Sequence, residues 1–221
     1  MKHVISGGIE FKMRRIAATV VGLTSGHSKN LIIPPEINGV PVDEIGEGAF
    51  FNQDIYSVCI PDTVEYVQKR AFEDCKNLTT VTEYETHHSA AADFMLIMDS
   101  AFKGCVGLLT CEFKSLLKLV SYNAFEDCTK LTTLSAELGI VRRNAFLNCS
   151  ALETVNLGYM AHLYSGFNDG SGIRVIRVTG NLECSKILLQ KFRDNNVEIH
   201  CREDSELFDL VYLGHTVKSL N

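Results

Sequence analysis

The chain has 221 residues, of which 46% are apolar and 22% are charged. This length and apolar content can fill a substantial core, which excludes a disordered chain. The net charge of -6 argues against the basic face expected for binding nucleic acid or anionic membranes. The sequence also contains no run of about 20 apolar residues that could span a bilayer.

The start of the chain carries two short apolar segments and no secretory signal. Residues 1–10 lack the apolar core of roughly 7–15 residues that such a signal requires, which fits either an intracellular protein or a mature form. The segments Ile9–Met13 and Ile16–Val21 alternate or run apolar around Arg14 and Arg15. This pattern predicts an antiparallel hairpin, which we interpret as an N-terminal cap over residues 1–30.

One motif recurs through the middle of the chain. Counted from an Ala at position 0, the motif has Phe at +1, Cys at +4 and Leu at +7, with apolar residues at -7, -4, +10 and +12. A first copy lacks the Cys, and a degenerate sixth copy has Gly in place of Ala. The copies begin at Ala49, Ala71, Ala101, Ala124, Ala145 and Gly166.

The period of this motif predicts a stacked array. Successive copies are 22, 30, 23, 21 and 21 residues apart. A unit of about 22 residues cannot bury its own apolar face, so neighbouring units must stack. A period of about 20–29 residues with Leu-x-x-apolar-x-apolar is typical of leucine-rich repeats, in which each unit contributes a short parallel strand.

The residues also resemble a known family. From about Leu31 to Val178 the chain is similar to the BspA-type leucine-rich-repeat family, whose units read apolar-x-x-apolar-x-x-x-Ala-Phe-x-x-Cys-x-x-Leu-x-x-Val-x-Ile-Pro. The most faithful copy runs from Val58 to Phe72. Members are typically surface or secreted proteins of bacteria and some protozoa, linked to adhesion and host interaction. The resemblance therefore implies a cell-surface or secreted interaction protein, with a cytoplasmic location as the alternative.

These observations predict one leucine-rich-repeat solenoid domain over residues 1–221. We expect repeats in 31–178 whose short parallel strands form one sheet, with irregular or 3-10 returns on the opposite side that hold a column of Phe rings. The β-hairpin cap precedes the repeats. An α/β cap over 179–221 follows them, with a helix over 184–193, a strand over 197–200 and a covering segment over 207–213.

The cysteines fit the same arrangement. Four of the eight occupy the +4 position of the repeat. A thiol repeated in that way is best explained as a small apolar group packed between units, so we expect reduced cysteines.

The strand positions +9 and +11 are candidates for binding. Since +7, +10 and +12 point inward, +9 and +11 should point outward. Thr recurs at +9, which either reflects its suitability for strands or forms a hydroxyl-rich binding strip. The candidate binding residues are Thr80, Thr82, Tyr84, Thr110, Glu112, Lys114, Thr133, Ser135, Glu137, Thr154 and Asn156.

The 30-residue unit carries an insertion of about seven residues. Glu83 occupies its +12 position, which is apolar elsewhere. Because burying an unpaired carboxylate is costly, we expect the chain to leave regular geometry there and to form a surface bulge or helical turn over 84–93. His87 and His88 within it lack a recognisable metal-ligand spacing.

No catalytic motif accompanies the repeat. The chain contains no GxSxG, HExxH, paired CxxC or phosphate-binding glycine loop, and Gly170-Ser171-Gly172 is interpreted as a turn. We therefore predict a monomeric, non-enzymatic interaction module without cofactor, metal, nucleic-acid partner or membrane insertion. Its expected ligand is a protein or a glycan, bound through the exposed sheet face and the 84–93 insertion. The alternative is a structural spacer or scaffold with no dedicated ligand.

Overall fold

The computed structural model of the protein describes residues 2–86, 91–164, 167, 170–180, 182–184, 186–201 and 217–219. Within these residues the chain forms strands and one helix that follow the repeat. In order, they are β1 (His3–Ser6), β2 (Ile9–Met13), β3 (Ala18–Leu23), β4 (Asn30–Ile32), β5 (Glu36–Ile37), β6 (Val40–Ile45), β7 (Ser57–Pro61), β8 (Tyr66–Val67), β9 (Thr80–Tyr84), β10 (Phe94–Ile97), β11 (Thr110–Glu112), β12 (Leu116–Val120), β13 (Thr133–Ser135), β14 (Glu137–Val141), β15 (Thr154–Leu163), β16 (Val175–Val178), β17 (Leu182–Cys184), α1 (Lys186–Asp194), β18 (Glu198–Cys201) and β19 (Val217–Ser219).

Stacked parallel strands build the solenoid. The strands at +9 to +12 form a five-stranded sheet, here the small sheet, in the order β13-β11-β9-β7-β4. The strands at about -7 to -4 form a second parallel ladder, β6-β8-β10-β12-β14, within a 14-stranded sheet, here the large sheet. The predicted leucine-rich-repeat solenoid is confirmed.

The prediction of one sheet is incomplete, because the four units that begin at Ala49, Ala71, Ala101 and Ala124 contribute strands to two. The -7 and -4 positions are three residues apart and show no period-2 alternation, which is the usual sign of a strand. β8 has only two residues, and it is a strand because Tyr66 pairs with Leu96 on one side and Glu44 on the other. Pairing between stacked units, rather than a local pattern, defines this second ladder.

The Ala-Phe corner joins the two sheets through a tight turn that repeats in each unit. The Phe amide donates to the Ala carbonyl of the next unit at 2.7–2.8 Å in four successive units. Residues at -1 and +3 bracket the corner with φ between 54° and 73°, the left-handed region that Gly, Asn and Asp tolerate best. They are Gly48, Asn52, Arg70, Asp74, Ser100, Gly104, Asn123, Asp127, Asn144 and Asn148.

The Phe rings of the corners stack into the column that the sequence predicts. Adjacent ring centroids lie 4.9–5.5 Å apart from Phe50 to Phe167. The five rings from Phe50 to Phe146 are fully buried. Phe192 on α1 meets the last ring at 6.4 Å with a tilt of 49°, so the helix covers the end of the column.

A column of thiols lies beside the rings. The Sγ atoms of Cys75, Cys105, Cys128 and Cys149 donate at 2.9–3.2 Å to the Phe carbonyl of the preceding unit. Burial raises the pKa of Cys75 and Cys149 to about 12, and raises the pKa of the two thiols between them as well. The cysteines at the repeat positions, and Cys59 and Cys111 beside them, are free thiols, as expected.

Antiparallel strands begin the solenoid. β2 and β3 form the predicted hairpin, and β1 adds a third strand to it. β3 then pairs in parallel with β6, which attaches this segment to the large sheet. An Asn38-Gly39 turn, with both residues at positive φ, folds β5 back on β6.

The other end combines α1 with β18 and β19, which extend the large sheet in parallel. The helix and strand predicted over 184–200 are present within a residue or two. The covering segment expected over 207–213 lies outside the described residues, and the division into caps and repeats stays a prediction.

Candidate functional site

The outward side of the small sheet places most of the candidate residues in register. At +9, Thr80, Thr110 and Thr133 pair directly across neighbouring strands, continued by Ser57 in β7. The +10 residues between the two outward rows, such as Val81 and Cys111, are buried. The alternation therefore directs +9 and +11 toward solvent. We name the polar strip as Thr80, Thr82, Thr110, Glu112, Thr133 and Ser135.

Exposure varies along the polar strip. Glu112, Thr133 and Ser135 are exposed, whereas the other three side chains are half-buried. Parallel strands are about 4.8 Å apart. The strip therefore presents hydroxyl groups at a regular spacing, and a single carboxylate interrupts them.

Three of the candidates lie on strands of the large sheet. The small sheet ends at β13. Thr154 and Asn156 lie on β15, which pairs with β16 in the large sheet, and Glu137 begins β14 opposite Asn156. The sequence placed Thr154 and Asn156 in the outward rows, with Glu137 beside them, because it predicted one sheet. The structure instead places all three in the large sheet.

Tyr84 and Lys114 flank the strip but have internal partners. The Tyr84 hydroxyl donates to the carbonyl of Ile33 at 2.7 Å, and burial raises its pKa. The Lys114 ammonium pairs with Glu85 at 2.9 Å. The tyrosine therefore fastens the end of β9, and the lysine tethers the start of the insertion.

The expectation that the chain leaves regular geometry at Glu83 is wrong. Glu83 stays in β9, in register with Ile60, and is 6% exposed. Its carboxylate accepts the backbone amides of Lys114 and Ser115 at 2.6 and 2.8 Å, and the Ser115 hydroxyl at 2.5 Å. The burial cost is offset because three donors replace water. The regular geometry ends after Tyr84.

Asp62 holds both ends of the insertion. Its carboxylate accepts hydrogen bonds from the amide and hydroxyl of Thr86, and its carbonyl accepts the amide of Ala92 at 2.7 Å. Residues 87–90, which include His87 and His88, lie outside the described part, so the expected bulge or helical turn stays a prediction.

Sequence reasoning missed apolar groups beside the strip. Tyr56 and Leu109 are 44% and 43% exposed where the chain enters β7 and β11, and Ile32 is 69% exposed on the edge strand β4. Lys29 lies over the Tyr56 ring at 4.8 Å and pairs with Asp54 at 2.5 Å. The available signal was an apolar residue at +8, one position before the outward row. These groups give the polar strip an apolar border.

A cavity of about 740 Å³ lies apart from the strip, between the turn Gly170–Gly172 and the end of α1. Arg174, Lys191 and Asn195 contribute to its lining. Gly170 has a φ of 87°, which agrees with the turn that the sequence predicts.

In the described ranges, no group of three or more His, Cys, Asp or Glu side chains is arranged to hold a metal ion. The helix that the structure describes is too short and too polar to cross a membrane.

The sequence matches a family profile described as a BspA type leucine rich repeat region in six copies, over residues 43–159 and 86–196. The chain belongs to the BspA-type leucine-rich-repeat family. Together the two matches reach from β6 to α1. They therefore include the Ala-Phe corners, the polar strip and both ladders. Among curated proteins, none matches this chain.

Solved structures of other leucine-rich-repeat proteins share the fold. A leucine rich cell surface protein from Faecalibacterium prausnitzii is 20% identical with a TM-score of 0.54, over 80% of this chain and 55% of that one. The chain thus spans about half of that protein's length. A leucine-rich repeat protein from Bacteroides ovatus is 18% identical with a TM-score of 0.57, over 92% of this chain and 57% of that one. A leucine rich repeat protein from T. pallidum is 16% identical with a TM-score of 0.54, over 99% of this chain and 86% of that one.

Proposed function

We propose that this protein is a non-enzymatic interaction module that binds a protein or a glycan through the polar strip. The observation that carries the proposal is the strict register of outward hydroxyl side chains on β9, β11 and β13. A ligand that lies across the strands would meet equivalent groups at regular intervals. Solenoids commonly use such extended surfaces for binding.

The border of the strip adds to this proposal. Exposed aromatic and apolar groups supply contact area that hydroxyls alone do not, and interfaces combine an apolar centre with polar neighbours. Tyr56 and Leu109 supply those groups at the entrance to the small sheet. The insertion lies at the other end of β9 and is tied to the strip through Glu85 and Lys114.

Location is part of the proposal. The Faecalibacterium structure that shares the fold is described as a cell surface protein. By analogy, we propose that this chain acts at a cell surface, where adhesion to a host protein or glycan is the corresponding role.

The proposal is tested by presenting the purified chain to arrays of glycans and matrix proteins. The double variant Thr110→Arg/Ser135→Arg places two large charged groups on the strip and should abolish specific binding. The matched control Thr129→Arg/Ser150→Arg changes the same residue types at exposed positions beside the Ala-Phe corner, and it should bind like the parent.

Two results contradict the proposal. Binding that survives in the strip variant places the ligand site elsewhere. The absence of any specific ligand on both arrays favours the spacer or scaffold role.

A further inference from the structure

The wall of the cavity beside the turn Gly170–Gly172 carries hydrogen-bond donors without an acceptor. In the units that begin at Ala71, Ala101, Ala124 and Ala145, the +7 amide donates to the carbonyl at +4 at 3.0–3.2 Å. Ile173 holds the +7 position of the last unit, and no described residue accepts its amide. Ile173 lines the cavity and is 7% exposed, and an unpaired amide in a buried position costs free energy.

Ser171 adds donors to the same wall. In those four units the +5 amide donates to the carbonyl at +3 at 2.8–2.9 Å, whereas the Ser171 amide and hydroxyl have no acceptor within the described ranges. Gly172 donates instead to the Cys149 carbonyl of the preceding unit at 3.1 Å. The turn therefore leaves the amides on either side of Gly172 open.

Charge on this wall favours an anion. Arg174 and Lys191 both line the cavity, and Arg174 pairs with no carboxylate in the part of the chain that the structure describes. Glu198 is the carboxylate among the described lining residues, and it accepts hydrogen bonds from Lys218 at 2.8 Å. Glu153 adjoins Arg174 on the preceding unit but does not line the cavity. The described wall thus holds two cations and one carboxylate that is already paired.

The end of α1 opposes this charge only weakly. A helix C-terminus presents unpaired carbonyls, which disfavour anions. Here the carbonyls of residues 191–193 accept the amides of residues 195–197 at 2.8–3.0 Å. Asn196 has a φ of 54°, as is usual for a residue that caps a helix in this way. These carbonyls are therefore satisfied within the chain.

Apolar groups complete the wall. The rings of Phe167 and Phe192 lie 6.4 Å apart at the end of the ring column, and Val197 lines the cavity with them. The cavity volume of about 740 Å³ falls in the range of roughly 300–1,000 Å³ that small-molecule sites occupy. Such sites combine apolar walls with a few polar groups that orient the ligand, as this wall does.

We propose that this cavity binds a small aryl carboxylate. Its carboxylate accepts the amides of Ser171 and Ile173 and pairs with Arg174, because two oxygens with several lone pairs match an arginine fork and adjacent amides. Its ring lies against Phe167 and Phe192, since aromatic rings pack favourably on one another. The site is separate from the polar strip and acts independently of it.

A nuclear magnetic resonance titration of the isotopically labelled chain with phenylacetate tests the site. We expect the amide signals of Ser171 and Ile173 to shift, with a dissociation constant of about 1 mM, the order expected for a ligand of about ten non-hydrogen atoms. Phenylacetamide has a similar shape without the charge and should bind at least about tenfold more weakly. Unshifted signals of both amides at about 10 mM phenylacetate, or equal binding of the two compounds, overturn the proposal.

Substitution of Arg174 tests the ion pair. Arg174→Gln should weaken phenylacetate binding at least about tenfold and leave phenylacetamide binding unchanged, because only the acid uses the charge. Arg177→Gln is the matched control, since Arg177 is an exposed arginine on β16 that does not line the cavity, and it should bind like the parent. Circular dichroism checks that both variants are folded. Phenylacetate binding that Arg174→Gln leaves at the parent level contradicts the proposed site.

Discussion

The Ala-Phe corner and the polar strip come from the same units but vary to different degrees. Phe occupies +1 in all six units and stacks in one column, whereas the outward +11 position changes from Cys59 to Thr82, Glu112 and Ser135. A corner residue has a copy of itself above and below, so the side chain that packs well in one unit packs well in the next. A strip residue has water on one side and is free of that constraint. Repetition therefore marks where the fold is held, and variation marks where a ligand could be selected.

Alkaline pH should produce the largest change in the unfolding free energy. The folded pKa of five buried thiols, Cys75, Cys105, Cys111, Cys128 and Cys149, is raised above the ordinary value of 9.0. Their stabilisation is complete below about pH 9 and is lost as pH rises toward the folded pKa, because only the unfolded chain then releases the protons. In that range each thiol lowers the unfolding free energy by about 1.4 kcal/mol per pH unit. Over about two pH units the summed loss from the five thiols therefore exceeds the unfolding free energy of a typical domain.

Urea unfolding with reductant at a series of pH values measures this loss. Cys111→Ala is the comparison, since it should reduce the alkaline slope by the share of one thiol. An unchanged slope in that variant would show that other groups cause the loss.

The ring column gives the next largest effect. Phe125→Ala removes a fully buried ring between two stacked neighbours and should cost about 3–5 kcal/mol of unfolding free energy, measured by urea denaturation. Phe51→Ala is the control, because Phe51 follows a corner ring but is 40% exposed, and it should cost about 1 kcal/mol or less. Similar costs for the two rings would contradict the assignment of inside and outside.

Substitutions of Glu83 test whether the +12 position of its unit needs a hydrogen-bond acceptor, unlike the apolar +12 positions of the other units. Glu83→Leu introduces an apolar residue like those found at this position in other units, yet it removes the acceptor of the Lys114 and Ser115 amides and should cost about 2–3 kcal/mol. Glu83→Gln keeps a carbonyl for the two amides and should cost under about 1 kcal/mol. Urea denaturation measures both, and a neutral Leu variant would make this an ordinary core position.

A smaller effect of opposite sign is expected at the corner backbone. Ser100 holds a φ of 57°, which Gly adopts without penalty, so Ser100→Gly should raise the unfolding free energy by about 0.5–1 kcal/mol. Gly104→Ala is the converse control, because the added Cβ would lie 2.7 Å from the Asp74 carboxylate at a φ of 73°. Thermal melting distinguishes the two. A destabilised Ser100→Gly variant would show that its side chain, not its backbone, matters.

The smallest effect belongs to the strip. Thr133→Ala changes an exposed strand residue and should alter the unfolding free energy by less than about 0.5 kcal/mol. A cost near that of Phe125→Ala, in the same urea experiment, would place this side chain in the core.

The column of Phe rings and the column of Cys thiols could be predicted from sequence, because each corresponds to one repeated residue type. The left-handed pairs at -1 and +3 carried a signal too, since Gly, Asn or Asp occupies all of these positions except Arg70 and Ser100. The second ladder carried none, because its strands are short and depend on their neighbours in space. The acceptor role of Glu83 could not be foreseen either, since its donors lie 31 and 32 residues away.

Part of the candidate site could be predicted for the same reason. The alternation around +10 directs six residues of β9, β11 and β13 outward, as expected. It misplaced Thr154 and Asn156 because the small sheet ends before β15, and local sequence does not define where a sheet ends.

The hydrogen bond from each Phe amide to the Ala carbonyl of the next unit makes the length of this molecule easy to change in evolution. Each corner bonds and stacks only with its neighbours. Duplicating a whole unit would therefore insert one more turn, lengthening the array by about 4.8 Å while every existing junction keeps its geometry. Gene-level copying can thus extend or shorten the binding surface without redesigning the interior.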